Sequence, residues 1–382
     1  MQYTLITTFD ALQSFCEQAS NASAIAVDTE FVRTRTLYPK LGLIQIFDGT
    51  SLVLVDPLKI EDLSPLVDLL ANPDVVKVLH SCSEDLETFW HSLKVIPTPI
   101  FDSQFAACLL NKGATLGYAN LIELMLDIKL DKGESRTDWI ARPLSKEQCQ
   151  YAANDVLYLL QIYPQLSEQI AALGRTEWIY QEMHQLALKK SINLPSDLAY
   201  LNIKNNWKLS GISLYLLKIL AKWRIEQARI RDLALNFVVR ESNLVEVART
   251  LPSHKGAIFA IDGMTPQEAR IHSDALLSLV EEAKVAPIEV YPPPVERLMT
   301  HKGFKKASAE IRALCQVKAD QLEIPVEVLG SKKQIQQLLK YHWHQQDELR
   351  EMGLKPDLIK GWRGELLGDE ALEIVGKYGK IR

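Results

Sequence analysis

The stretch "AIAVDTEFVR", Ala24 to Arg33, decides how the first half of this chain is read. An apolar run, Ala24 to Val27, leads into Asp28 and then Glu30. Alternation is the period of a β-strand, so Asp28 and Glu30 share one face. Like charges side by side repel, so a strand that otherwise reads as buried needs a reason to carry them.

The neighbouring text alternates strand and helix signals. "LGLIQIFDGTSLVLVDP" reads as two strands joined by an Asp48-Gly49 turn, a strong hairpin signal. "VVKVLH", Val75 to His80, is a short apolar strand running into "SCSEDLETFWHSL", where Ser81 and Glu84 have capping-box spacing. "LSKEQCQYAANDVLYLLQIYPQL" repeats that signature with Ser145 and Gln148, followed by apolar residues at helical spacing. Mixed strands and helices over this length predict an α/β or α+β domain with one mixed central sheet.

From about Trp207 strand signals fade and helical ones take over. Leu233, Leu235, Phe237, Val238, Leu244, Val247 and Ala248 recur 91 residues later as Ile324, Val326, Val328, Leu329, Ile335, Leu338 and Leu339. That offset predicts a repeated helical unit, hence two small all-α domains. The Pro-rich "VYPPPVE", Val290 to Glu296, separates them as a semi-rigid linker. The expected domains are 1–190, 208–288 and 297–376.

Bulk composition narrows the function classes. The 382 residues are 47% hydrophobic and 24% charged, as in soluble globular proteins. No apolar run approaches the roughly 18 residues of a membrane span, and the N-terminus lacks the pattern of a signal peptide. The five cysteines (Cys16, Cys82, Cys108, Cys149, Cys315) are scattered, with no CxxC pair. This argues against a disulfide framework or a structural zinc site, and for a reducing cytoplasm. Residues 1–207 carry 16 Lys and Arg against 25 Asp and Glu, a net charge of −9. Residues 208–290 and 291–382 come to +1 and +3. The acidic half suits a carboxylate-rich site that needs cations, and the later segments tolerate a polyanion.

Two further carboxylates join Asp28 and Glu30. Asp85 sits in the first turn of the helix after the Val75–His80 strand, and Asp155 lies four residues after Tyr151 on one helix face. Brought together, four carboxylates repel one another, and divalent cations relieve that repulsion. Hard oxygen ligands suit Mg²⁺ or Mn²⁺. Two such ions about 3.5–4 Å apart form the usual clamp for phosphodiester cleavage.

At these residues the chain resembles a known family. "VDTEF", "HSCSEDLE" and "YAANDVLYL" are similar to the three motifs of the DEDDy 3′→5′ exonucleases, with Tyr151-x-x-x-Asp155 marking the tyrosine subclass. "EFVRTRTLYPKLGLIQIFDG", "TDWIARPLS" and the trailing repeats resemble more narrowly the bacterial ribonuclease D family, in which a nuclease domain precedes two HRDC domains. The resemblance implies an RNase H-like exonuclease domain followed by the two helical domains. It implies two cations, Mg²⁺ or Mn²⁺, held by Asp28, Glu30, Asp85 and Asp155, with Tyr151 and Glu30 catalytic. Thr29, Gln45, His80, Arg136 and Trp139 are the candidate substrate contacts. For Gln45, His80 and Trp139 a purely structural role is an equal reading. The implied activity is metal-dependent trimming of RNA 3′ ends, with tRNA precursors as substrates and 5′-mononucleotides as products. The alternatives are a DNA 3′→5′ exonuclease or a non-catalytic RNA-binding scaffold. No oligomer is implied, and a chain ending near Lys204 is expected to keep cleaving short RNA.

Overall fold

The computed structural model describes residues 2–130, 133–134 and 136–380. Its first half is built on six strands: β1 (Thr4–Ile6), β2 (Ala24–Val32), β3 (Lys40–Phe47), β4 (Leu52–Val55), β5 (Val76–Leu79) and β6 (Ile100–Asp102). Their order across one sheet is β1-β4-β3-β2-β5-β6. β2, β3 and β4 form an antiparallel meander, while β1 runs parallel to β4, β5 to β2 and β6 to β5. The β3–β4 turn is the expected one: Gly49 sits at φ 94°, and Asp48 Oδ1 accepts the amides of Thr50 and Ser51. β2 therefore lies inside the sheet, which is why Ala24 to Val27 are all buried. The β2–β3 register shifts after Glu30, an irregularity of the kind that re-aims side chains beside active sites.

Seven helices cover this sheet: α1 (Phe9–Ala19), α2 (Ser64–Ala71), α3 (Ser83–Leu93), α4 (Ser103–Leu109), α5 (Tyr118–Leu126), α6 (Lys146–Ala172) and α7 (Thr176–Ser191). α6 packs across β2, β3 and β4. It starts from the expected capping box between Ser145 and Gln148. The loop before it is stapled down by Arg142, which grips Asp56 with two nitrogens (2.7 and 2.8 Å) and donates to the carbonyls of Gly42 and Trp139. Gly42 is required there, since a Cβ would stand 2.5 Å from the Trp139 carbonyl oxygen.

The capping box expected at Ser81 and Glu84 does not form. Ser81 adopts a left-handed conformation (φ 57°), and Cys82 takes the N-cap position. Asp102 does the work instead: its carboxylate accepts the amides of Cys82 (2.8 Å) and Phe105 (2.9 Å). One side chain from β6 thus fixes the start of α3 and of α4 together.

The second half holds the repeat. α8 (Gly211–Arg231), α9 (Leu235–Val238), α10 (Glu241–Thr250), α11 (Lys255–Phe259) and α12 (Pro266–Val285) are followed by α13 (Phe304–Leu322), α14 (Val326–Gly330), α15 (Lys332–Trp343), α16 (Glu348–Glu351) and α17 (Gly361–Tyr378). The 91-residue offset places Asp232 on Glu323, and both end a long helix in the left-handed region (φ 47° and 53°). Between the units, residues 291–297 form no regular element.

The two repeats attach differently. The first keeps a core of its own, around Leu217, Leu220, Leu244 and Leu276. The second shares one continuous core with the nuclease half. In that seam Trp362 stacks on Trp178 (4.7 Å between ring centres) and leans on Phe105 (6.2 Å). Arg363 donates to Glu182 and to the Val328 carbonyl, and Arg175 reaches the Leu322 carbonyl at 2.6 Å.

Candidate active site

β2, α3 and α6 bring three carboxylate-bearing segments to one open cavity of about 470 Å³. Oxygens of Asp28, Glu30 and Asp155 lie within 4.8 Å of one another. Asp85 lines the same cavity from the first turn of α3, 7% exposed, and the Thr29 hydroxyl donates to its carboxylate. It stands beside the trio rather than inside it. Among the described residues, none lining this cavity is Lys or Arg.

The electrostatics follow from that arrangement. Burial, then repulsion from Asp85, Asp155 and Glu30, holds Asp28 well above the usual carboxylate range. Burial and the charges of Asp155 and Asp85 push Glu30 up to about 9. Burial raises Asp155 to about 8 against the pull of a hydrogen bond from Tyr151, and Asp85 to about 6 against that of Thr29. The Tyr151 phenol is pushed upward as well, by burial and then by the carboxylates around it, so it remains a proton donor.

The remaining candidates divide. His80 lines the cavity, bonds Ser103 Oγ through Nδ1 (2.9 Å) and meets Tyr118 edge-on (5.5 Å between ring centres). Among the described residues its buried Nε2 has no hydrogen-bond partner by distance and angle, and burial lowers its pKa against the pull of Asp102 and the Leu116 backbone, which favours the neutral ring. Gln45, expected to reach a sugar or base edge, is fully buried opposite Asp28 in the β2–β3 register. Among the described residues neither polar atom of Gln45 has a hydrogen-bond partner, and it does not line the cavity. Trp139, expected to offer a stacking face, is 1% exposed behind Tyr151 (6.2 Å between ring centres). The reason is the Arg142 staple, which draws its loop against Gly42. Arg136 is exposed on that loop, away from the cavity lining.

Sequence reading missed Phe31, Glu84, Tyr118 and Leu130, all of which line the cavity. Tyr118 donates to the carbonyl of Asn154 (2.8 Å), next to Asp155. Only fold geometry brings α5 there.

Comparison with known proteins decides what this cavity belongs to. A family model described as "3'-5' exonuclease" matches residues 3–171. Models for the HRDC domain and for the C-terminal HRDC domain of ribonuclease D match residues 213–280 and 302–371. The chain is 45% identical to ribonuclease D of Musicola paradisiaca over 378 residues, 99% of this chain and 100% of that one. The chain belongs to the ribonuclease D family. Ribonuclease D of Escherichia coli K12 is 43% identical over 378 residues, again covering 99% and 100%. The crystal structure of the E. coli enzyme, described as an exoribonuclease involved in structured RNA processing, superposes with a TM-score of 0.93 at 42% identity over all of both chains. Membership makes this chain a 3′→5′ exoribonuclease, with its acidic cavity inside the matched exonuclease segment. It also removes the non-catalytic scaffold as an alternative.

Proposed function

We propose that the chain trims structured RNA from a free 3′ end and releases 5′-mononucleotides. Two divalent cations, Mg²⁺ or Mn²⁺, would be held by Asp28, Glu30, Asp85 and Asp155. One observation carries this reading: four carboxylates, Asp85 buried and Asp28, Glu30 and Asp155 half-buried, share a cavity with no Lys or Arg among its described lining residues. Such a set of hard oxygen donors fits small divalent ions, whose charge would return the raised carboxylates to their ionised form. When bound, the ions supply Lewis acidity and an acidified water.

The protein's own groups do the rest. Thr29 holds the Asp85 carboxylate in place. Tyr151, kept protonated, orients the attacking water by hydrogen bond rather than removing its proton. His80 offers its neutral ring to the last nucleotide, while Gln45 and Trp139 shape the site from behind. Arg136, exposed outside the cavity lining, would contact a phosphate further along the RNA.

tRNA precursors are the proposed natural substrates, and the HRDC repeats contribute RNA binding rather than chemistry. The working units are 1–190, 208–288 and 297–376, acting as a single copy in the cytoplasm. Among the described residues no helix is long and apolar enough to cross a membrane.

The test uses 5′-labelled RNA and matched DNA with Mg²⁺, Mn²⁺ or a chelator, and RNA bearing a 3′-phosphate. Stepwise shortening of RNA that needs a divalent ion and a free 3′-hydroxyl is expected. Equal cleavage in chelator, or of blocked ends, would overturn the reading. Preferential digestion of DNA would favour the DNA exonuclease alternative.

A further inference from the structure

The segment that leaves the catalytic strand is held from two sides. Arg33 to Pro39 connect β2 to β3, beginning two residues after the cavity-lining Phe31. On one side the segment leans on α3, the helix that carries Asp85. Arg33 pairs with Glu87 (2.9 Å), and Tyr38 stacks on His91 (3.8 Å between ring centres). On the other side it meets the first helical repeat. Asp232, the left-handed C-cap of α8, accepts the amides of both Leu37 and Tyr38 through Oδ1, each at 3.1 Å. The Ala234 amide donates to the Arg35 carbonyl (2.8 Å), the Arg35 guanidinium lies over the Phe237 ring (5.0 Å), and Leu37 packs against the repeat's core.

This contact is specific to the first repeat. The equivalent corner of the second, Glu323, also ends its helix left-handed, but there Arg175 of the nuclease half bonds the neighbouring Leu322 carbonyl. The repeats therefore present the same corner to the nuclease half for two purposes. The second corner belongs to the shared core, while the first grips the strand-to-strand segment beside the site.

We propose that Asp232 is a positioning residue for substrate RNA: the first repeat clamps the β2–β3 segment and so fixes Arg33 and Arg35 beside the cavity mouth. The acidic cavity itself repels a polyanion, and Arg33 and Arg35 lie two and four residues beyond its lining residue Phe31. Arg33 is two residues from Phe31, within about 7 Å along the chain. A fixed cation binds phosphate at lower entropic cost than one on a loose segment.

Glycine suits the left-handed C-cap, so Asp232→Gly removes the clamp without straining the helix end, and Asp232→Asn keeps an acceptor oxygen. In the full-length protein, Asp232→Gly should accelerate amide hydrogen exchange at Leu37 and Tyr38. It should also raise KM for single-stranded RNA about tenfold, what one hydrogen bond to a charged group is worth, and leave kcat within about twofold. Asp232→Asn should restore both readings. Phe237→Ala, at a half-exposed position, should act in the same direction more weakly. Unchanged exchange would show that the clamp does not hold in solution. Faster exchange with unchanged KM, or an effect confined to kcat, would show that the contact does not position substrate. The inference rests on the nuclease reading for its KM arm alone: an inactive wild-type protein would defeat that reading, whereas the exchange result stands independently.

Discussion

Between α7 and α17 the buried Arg363 is paired with the partly buried Glu182, whereas Asp28, Glu30, Asp85 and Asp155 crowd one cavity as four like charges, Asp85 buried and the other three half-buried. In the first region each buried donor finds an acceptor: the guanidinium serves Glu182 and the Val328 carbonyl, and the Trp362 indole adds a bond to Glu182 (3.2 Å). In the second, a tyrosine and a threonine hydroxyl are set against four carboxylates that all read high. Charge buried with its complement is satisfied within the chain, and losing either partner would leave the other uncompensated. Charge buried without one marks a place where something else completes the structure. The seam is finished within the chain, and the cavity is finished by what binds there.

The comparison breaks most directly if the carboxylates prove dispensable. Asp28→Asn or Asp155→Asn should reduce RNA hydrolysis by more than the roughly 10²–10³-fold of losing one preorganised donor. In chelator the same proteins should melt no lower than wild type, because a repelling charge is gone. Activity assays paired with melting curves check this, and near-normal turnover would remove the cation reading.

The seam should behave in the opposite way. Trp362→Ala should destabilise by about 3–5 kcal/mol, as for a buried aromatic in a core, with the loss unaffected by divalent ions. Chemical denaturation monitored on the nuclease half is the measurement. A variant that unfolds only the second repeat would show that the shared core is not cooperative.

Tyr151→Phe is the finer probe within the cavity. Removing the phenolic donor should slow single-turnover cleavage by about 10²-fold, at the lower end for a lost active-site hydrogen bond, while divalent-ion affinity is retained. A wild-type rate would make Tyr151 part of the packing against Trp139.

Much of this arrangement was legible because it is local. Asp28 and Glu30 share a face by strand alternation, Tyr151 and Asp155 by helical spacing, and the 91-residue repeat survives mostly in residues that pack into each unit's core, the exposed Phe237 apart. What escaped depends on distant partners. Ser81 and Glu84 have the spacing of a capping box, yet Asp102, some twenty residues later, sets that helix start. Trp139 reads as an exposed stacking face until Arg142 and Gly42 are seen to draw its loop inward. Trp207 is the aromatic nearest the expected boundary at 208, but it sits half-exposed under Arg297 (4.1 Å). The apolar seam is made by Phe105, Trp178 and Trp362, far apart in sequence. A chain ending near Lys204 would lose Trp362 and uncover Trp178 and Phe105, so its activity is a test of folding before it is a test of RNA binding.

The central claim is that the four clustered carboxylates form a divalent-cation site, and the melting temperature of the full-length protein between pH 5 and 9, in chelator and in Mg²⁺, tests it most directly. Glu30 and Asp155 are raised from ordinary values of 4.5 and 3.8 to about 9 and about 8. Without cations the folded protein then holds more protons than the unfolded one, so stability is present at low pH and is lost as pH rises through 8 to 9. Mg²⁺ must displace those protons to bind, so its stabilising effect should grow as pH rises. The predicted result is a melting temperature that falls with pH in chelator and recovers in Mg²⁺ most strongly near pH 8–9; Asp28→Asn should lose the Mg²⁺ recovery while keeping the fall set by Glu30 and Asp155. A melting temperature indifferent to Mg²⁺ across that range, or one that rises with pH in chelator, would contradict it.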